Sequence, residues 1–133
     1  VILHEPQFAA SLLAAPCRIL PDSNRQALVL APAMAVPHAE QQRVSRPQWP
    51  GAIQALPDGR FAVLGPEAQT VGGYPLVASL VAAELPRLGR CSAGQTIRFA
   101  ATDLATAAAR TCAHERALAD WLARIRLPEG SPE

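Results

Sequence analysis

Short apolar runs separated by turn residues dominate the first hundred residues, and this pattern predicts strands. In "GAIQALPDGRFAVLGPE", residues 51–67, two apolar runs flank Pro57-Asp58-Gly59. Proline presets one backbone angle of such a turn and glycine takes the positive φ, so the segment predicts a β-hairpin. Shorter runs predict strands at residues 1–3, in "CRIL" and in "QALVLAPA", with the turn-rich "PDSN" between the last two.

The same pattern extends toward residue 100. "LVASLVAAEL" predicts a buried strand that leads to a short turn of helix at "ELPRLGR". "SAGQTIRFAA" predicts a glycine turn and then a strand with Ile97 and Phe99 on one face. The polar, proline-broken "AVPHAEQQRVSRPQWP" predicts a loop with at most one short strand.

Two segments have a helical pattern instead. Residues 6–16, "PQFAASLLAAP", are bracketed by prolines and predict a short helix. Residues 103–126 contain neither Gly nor Pro and predict a long helix, capped by Thr102 or Asp103. One face of this helix carries apolar residues at helical spacing and is expected to pack on a sheet. These residues are Leu104, Ala108, Thr111, Leu118, Leu122 and Ile125.

The predicted fold class is therefore mainly β, a closed or strongly curved antiparallel barrel with a long C-terminal helix. Residues 127–133 are expected to form a flexible tail. The length of 133 residues fits one domain, and 13 prolines argue against a helix bundle. Because the chain lacks Met at its start and begins on a predicted strand, it is expected to be a piece of a longer protein.

Composition excludes several functions. The net charge of +1 gives no general attraction to nucleic acid or acidic lipid. All twelve basic residues are arginine, so lysine chemistry is excluded. Three widely spaced cysteines and three isolated histidines predict neither a disulfide framework nor a metal site. With no signal peptide and no apolar run of membrane-spanning length, the expected location is the cytoplasm.

The stretch "QTVGGYP" is the most promising candidate for ligand binding. Gly72 and Gly73 allow positive φ and a close approach of the backbone to a ligand, and their N–H groups can form an anion-binding nest. Gln69, Thr70 and Tyr74 add polar side chains beside them. The alternative is a tight turn in which Tyr74 packs at the rim of the barrel.

Two further residues complete the candidate site. Gln54 lies between Ile53 and Ala55, so its side chain is expected to face away from theirs and to converge with Gln69 and Tyr74 on one concave patch. Arg25 follows a turn and is suited to gripping a carboxylate bidentately, the alternative being a solvated turn arginine.

Several motifs resemble one family in the same order along the chain. Residues 51–99, "GAIQALPDGRFAVLGPEAQTVGGYPLVASLVAAELPRLGRCSAGQTIRF", resemble the C-terminal signature of the allophanate hydrolase subunit 2 family. "PDSNRQALVLAPA" resembles an earlier family motif, S-x-R-x-G-x-R-L-x-G. The resemblance implies that residues 1–126 form a cyclophilin-like β-barrel, the C-terminal domain of a protein whose N-terminal half precedes it.

The family includes the C-type subunits of 5-oxoprolinase and one half of the carboxyltransferase domain of urea carboxylase. The resemblance therefore implies a complex that opens 5-oxoproline to glutamate with ATP, or that transfers carboxyl groups to a small amide such as urea. The implied partners are a subunit 1-type protein (the B-type component of 5-oxoprolinase), the N-terminal half, and a small amide or carboxylate ligand. The domain alone is expected to bind no cofactor, while ATP or carboxybiotin would enter in the full complex.

The resemblance points to seven substrate-binding residues but identifies no catalytic one. They are Arg25, Gln54, Gln69, Thr70, Gly72, Gly73 and Tyr74. Neutral amides and glycine N–H groups suit the stabilisation of the oxyanions that such reactions pass through.

The chain also departs from the family pattern. Leu76 stands where the family has Lys, Ser45-Arg46 where it has Ser-Glu, Ala27 where it has Gly, and Glu67 where it has Asp. Leu76 and Arg46 favour an alternative function, a catalytically inactive regulatory module that acts on a partner protein, whereas the intact candidate site residues favour the first function.

Overall fold

The computed structural model describes residues 1–38 and 44–125, and within them the chain forms a curled antiparallel sheet. Seven of the nine described strands make this sheet in the order β1-β8-β5-β6-β3-β2-β9, and β4 and β7 form a separate pair. The strands are β1 (Ile2–Leu3), β2 (Cys17–Ile19), β3 (Ala27–Pro32), β4 (Arg46–Pro47), β5 (Ala52–Ala55), β6 (Phe61–Leu64), β7 (Val71–Gly72), β8 (Leu76–Ser79) and β9 (Thr96–Ile97). The predicted strand that corresponds to β9 is shorter in the structure than its pattern indicated.

The two ends of the sheet are joined beyond the strands themselves. The nitrogen of Val1 donates to the carbonyl oxygen of Ala100 at 2.7 Å, and the N–H of Thr102 donates to the carbonyl oxygen of Val1 at 2.9 Å. These bonds connect the start of β1 to the segment that follows β9. The curled sheet is a half-barrel, and these backbone hydrogen bonds connect its two ends.

The predicted hairpin at Pro57-Asp58-Gly59 is confirmed. Gly59 has φ 81°, and Leu56 donates its N–H to the carbonyl oxygen of Arg60 at 2.8 Å. The side chain of Arg60 also fixes the side chain of Asp58, because Nε of Arg60 donates to Oδ2 of Asp58 at 2.7 Å. This ion pair lowers the pKa of Asp58, chiefly through the side-chain hydrogen bond.

The core lies on the inner side of the sheet. All four residues of β5 and all four of β6 are buried. Helix α1 (Pro6–Ala14), predicted from its flanking prolines, adds Phe8 and Leu12 to the same cluster. Strand β8 ends at Ser79, and a 3₁₀ turn (Ala82–Glu84) occupies residues that the pattern assigned to the strand. Helix α2 (Leu85–Leu88) then follows, as the sequence predicted.

The C-terminal helix α3 (Leu104–Arg124) confirms the predicted element and its cap. Asp103 accepts a hydrogen bond from the N–H of Thr106 at 2.7 Å. The predicted helix end at residue 126 and the predicted tail, residues 127–133, lie outside the described residues.

The predicted packing of α3 on the sheet is wrong. No residue of α3 is buried, and Leu104, Leu118, Leu122 and Ile125 are all exposed. The physical reason is that the core is already filled by strand side chains and by α1, so α3 contacts the 3₁₀ turn (Ala82–Glu84) instead. None of the helices in the described parts of the chain combines the length and apolar character needed to cross a bilayer.

Candidate functional site

Three glutamine side chains gather around Gly72 of β7. A methyl group built on Gly72 would lie 3.2 Å from Nε2 of Gln54, 3.4 Å from Nε2 of Gln69 and 3.4 Å from Cγ of Gln48. Any larger residue at 72 would therefore press on the amides, so the bare backbone is what lets them approach. We call Gln48, Gln54 and Gln69 the glutamine cluster.

Local strand pairing positions each member of the cluster. Gln54 pairs with Ala62 of β6 on one side and with Leu76 of β8 on the other, where the register shifts by a bulge. A bulge re-aims the side chain that it carries. Gln48 is fixed by its backbone, because its N–H donates to the carbonyl oxygen of Thr70 at 2.8 Å and so extends the β4–β7 pair.

Two buried polar atoms of the cluster have no hydrogen-bond partner within the described residues. Gln54 is 3% exposed and its Nε2 is unpaired, while Gln48 is 7% exposed and its Oε1 is unpaired. Buried polar atoms in folded proteins are almost always paired, so an unpaired donor and an unpaired acceptor in one cluster need a partner such as a ligand or water. The pair offers one N–H and one oxygen to such a partner.

A cavity of about 250 Å³ adjoins the cluster and shares Gln48 with it. Its polar wall includes Arg46 and Tyr74, and its apolar wall includes Trp49 and Leu76. Trp49 meets the ring of His4 edge-on, with centroids 6.4 Å apart. Both departures from the family pattern that change charge, Arg46 and Leu76, therefore line one cavity.

The sequence-predicted site divides between two places. Gln54, Gln69 and Gly72 come together, and Tyr74 reaches the adjoining cavity. Arg25 instead forms an ion pair with Glu67 at 2.8 Å and lines a different, largely apolar cavity of about 580 Å³. Its side chain is 78% exposed, which is the situation of a solvated turn arginine.

The expected role of the glycine pair needs correction. Among the described residues the glycines with positive φ are Gly51, Gly59 and Gly94, and neither Gly72 nor Gly73 belongs to them. Gly72 is needed for space, since it lies in the extended strand β7 beside the amides. Thr70 is exposed, and it contributes to the site through the backbone carbonyl that holds Gln48.

Sequence reasoning missed Gln48. It lies in "RPQWP", a proline-broken segment with the pattern of a loop, whereas Arg46–Pro47 forms β4 directly before it. The available signal was a neutral amide two residues after Arg46, hence on the same side of any strand that forms there.

Several titratable groups in the described parts of the chain lie outside the glutamine cluster. Burial raises the pKa of the Cys17 thiol, which makes it a poor nucleophile at neutral pH. No group of three or more His, Cys, Asp or Glu residues within the described ranges is arranged to hold a metal ion. His4 is occupied, because its Nε2 lies 2.7 Å from Oγ of Ser79.

Residues 3–101 match the family described as carboxyltransferase domain, subdomain A and B. The chain belongs to this family. The matched segment contains the whole glutamine cluster and ends just before α3.

Among curated proteins the chain is similar to the C-type subunit of 5-oxoprolinase from Haemophilus influenzae, with 41% identity over 58 residues. It is also 31% identical over 84 residues to the corresponding 5-oxoprolinase subunit from Escherichia coli. The aligned parts cover 44% and 63% of this chain but only 19% and 27% of those relatives. The aligned segments thus span about a fifth and just over a quarter of the length of those relatives.

The fold is also similar to that of solved structures. A crystal structure of TTHA0988 superposes with a TM-score of 0.62 and 29% identity, covering 74% of this chain and 20% of that one. A second crystal form of TTHA0988 gives a TM-score of 0.64 at 25% identity, covering 75% of this chain and 20% of that one. The mainly β, cyclophilin-like architecture with a long C-terminal helix, expected from the sequence, is confirmed.

Proposed function

We propose that the chain is the C-terminal barrel of a protein like the C-type subunit of 5-oxoprolinase and that its glutamine cluster binds the amide group of a small substrate. The observation that supports this proposal is the buried, unpaired pair formed by Nε2 of Gln54 and Oε1 of Gln48. An amide held in a ring presents a carbonyl oxygen and an N–H along one edge. Gln54 donates to that oxygen, and Gln48 accepts from that N–H.

Such contacts also suit the reaction. When a nucleophile attacks an amide carbonyl, or when the amide N–H loses its proton so that the nitrogen can take up a carboxyl group, negative charge builds up on the carbonyl oxygen. A buried N–H donor that faces this oxygen stabilises the charge more strongly than water would, because it is already oriented and lies in a region of low polarity. In this proposal Gln54 polarises the amide and the cluster excludes water.

The cluster does not fit a nucleotide. Its side chains are neutral amides, and the adjoining cavity of about 250 Å³ is below the range of about 300–1,000 Å³ that is common for ligand pockets. We therefore assign ATP, or carboxybiotin in the carboxyl-transfer version, to the other subunits. The role proposed for this chain therefore does not require it to contain residues that bind either cofactor.

The first test is an assay of 5-oxoproline-dependent ATP hydrolysis. The chain alone is expected to show no turnover, because the parts of the curated relatives that it matches are only 19% and 27% of their length. Activity is expected when the other components of the complex and the rest of the C-type subunit are supplied. Robust turnover by the chain alone would contradict the proposal.

A second test separates binding from folding. Gln54→Leu removes the unpaired donor at similar volume, so it is expected to leave stability unchanged or raise it, while binding of 5-oxoproline falls at least about tenfold. Gln26→Leu, at an exposed glutamine, is the matched control and should leave binding unchanged. If Gln54→Leu instead destabilises the fold and leaves the affinity unchanged, Gln54 is a structural residue.

The departures at Arg46 and Leu76 support a second candidate, a regulatory module without catalysis. Both residues lie in the wall of the cavity beside the cluster. A complex that binds 5-oxoproline through this chain but hydrolyses no ATP would favour this second function.

A further inference from the structure

We propose that Arg46 binds a carboxylate of the substrate, so that the site selects a cyclic amide with an acidic group over a neutral amide or urea. This inference rests on the proposed function of the glutamine cluster. It adds a residue that the family resemblance marked as a departure.

Strand pairing sets Arg46 beside the amides. In the β4–β7 pair Arg46 lies directly opposite Gly72, the residue around which the glutamines gather. Gln48 follows two positions later, and residues two apart on an extended chain lie on the same face. Arg46, Gln48 and Tyr74 all line the 250 Å³ cavity.

The guanidinium of Arg46 is available for a ligand. Among the described residues Arg46 forms no ion pair, whereas Arg25, Arg60 and Arg87 each pair with a carboxylate at 2.7–2.8 Å. Arginine suits a carboxylate because its planar fork of donors matches the two oxygens.

Among the described residues, the cavity wall carries one acid, Glu5, whose Oε2 accepts a hydrogen bond from Nε2 of Gln7 at 3.3 Å. A ligand carboxylate is attracted by Arg46, so we expect it to lie on the side of the cavity that Arg46 forms. The amide edge of the ligand then faces the side of the cavity that Gln48 forms.

The neighbouring departure is consistent with this assignment. Leu76 occupies the position at which the resemblance expects lysine, and it lines the same cavity as Arg46. Relative to the family pattern, the cavity has lost a cation on β8, and on β4 it has an arginine where the resemblance expects glutamate. The cavity therefore carries a cation on a different strand, and a fork of donors replaces a point charge.

The test is an NMR titration of the protein with two probes, 5-oxoproline and 2-pyrrolidinone, which have the same ring but differ in the carboxylate. The wild type is expected to bind 5-oxoproline at least about tenfold more tightly, the range of a charge-assisted hydrogen bond. Arg46→Gln should remove this preference and leave the affinity for 2-pyrrolidinone unchanged, and Arg46→Lys should restore part of it.

Arg18→Gln is the matched control, because Arg18 is an exposed strand arginine of β2 outside this cavity. Equal affinities of the wild type for both probes would overturn the assignment of Arg46 and leave the amide site standing. If Arg46→Gln weakens the binding of both probes equally and lowers the melting temperature, the assignment of Arg46 would also be overturned, since Arg46 would then act by stabilising the fold. Binding of neither probe to the wild type would overturn the amide site itself.

Discussion

The β5–β6 hairpin and helix α3 have equally clear sequence patterns, yet the structure uses them in opposite ways. Every residue of β5 and β6 is buried, whereas no residue of α3 is. The patterns define a strand pair and an amphipathic helix, but only the hairpin is covered by other parts of the chain on both of its faces. Periodicity therefore predicts an element and its apolar face, while the partner of that face depends on the space that other elements leave.

The largest contrast is expected between core truncations in the two regions. Phe61→Ala should cost about 3–5 kcal/mol of unfolding free energy, because Phe61 is 0% exposed and its removal leaves a cavity. Leu122→Ala in α3 should change stability by less than about 0.5 kcal/mol, since Leu122 is 55% exposed. Urea denaturation of both variants measures the difference. A cost above about 2 kcal/mol for Leu122→Ala would show that α3 is covered in solution.

A second contrast separates two glycines by their surroundings. A methyl group at Gly65 would collide with the carbonyl oxygen of Arg25, because the chain segments beside β3 and β6 approach closely there. Gly59 has open space around it but a φ of 81°. Gly65→Ala should therefore destabilise by about 3 kcal/mol through overpacking, and Gly59→Ala by about 1 kcal/mol through backbone strain. Thermal unfolding followed by circular dichroism gives both values, and the opposite ranking would contradict the close approach at Gly65.

The smallest expected effect concerns the start of α3. Hydrogen bonds from the backbone and side chain of Thr106 lower the pKa of Asp103 in the folded state. Its stabilising effect is therefore present above the ordinary pKa of an aspartate and is lost as the pH falls through the lowered value.

Asp103→Ala should reduce the helical signal at about 222 nm slightly at neutral pH, whereas Asp103→Asn should keep it because Asn is also a good cap. The comparison is made by circular dichroism as the pH falls from neutral into the acid range. Acid loss of helicity should be smaller in Asp103→Asn than in the wild type. An identical acid profile in the two proteins would assign the loss to other carboxylates, such as Asp58, whose pKa is also lowered.

Local chemistry explains which parts of the fold were predictable. The turn at Pro57-Asp58-Gly59 and the cap at Asp103 depend on residues within a few positions of each other, so the sequence shows them directly. The order of strands β1-β8-β5-β6-β3-β2-β9 depends on distant pairings that no local pattern contains.

The candidate site shows the same limit. Gln54 was identified from strand alternation, and Gln69 and Gly72 from the polar, glycine-rich stretch that also resembles a family motif; the structure brings the three together. Gln48 was missed because β4 is two residues long and stabilised by pairing with β7 rather than by its own propensity. Arg25 was grouped with the site because an arginine after a turn suits a carboxylate ligand, although its partner in the structure is the side chain of Glu67.

The hydrogen bonds of Val1 with Ala100 and Thr102 have a consequence for engineering. They place the point where the chain enters the barrel beside the point where it leaves for α3. Domains whose two ends are neighbours tolerate circular permutation and insertion into other proteins. The barrel is therefore suited to being joined at residues 1 and 102 by a short linker and reopened at the turn near Gly59, around which there is open space.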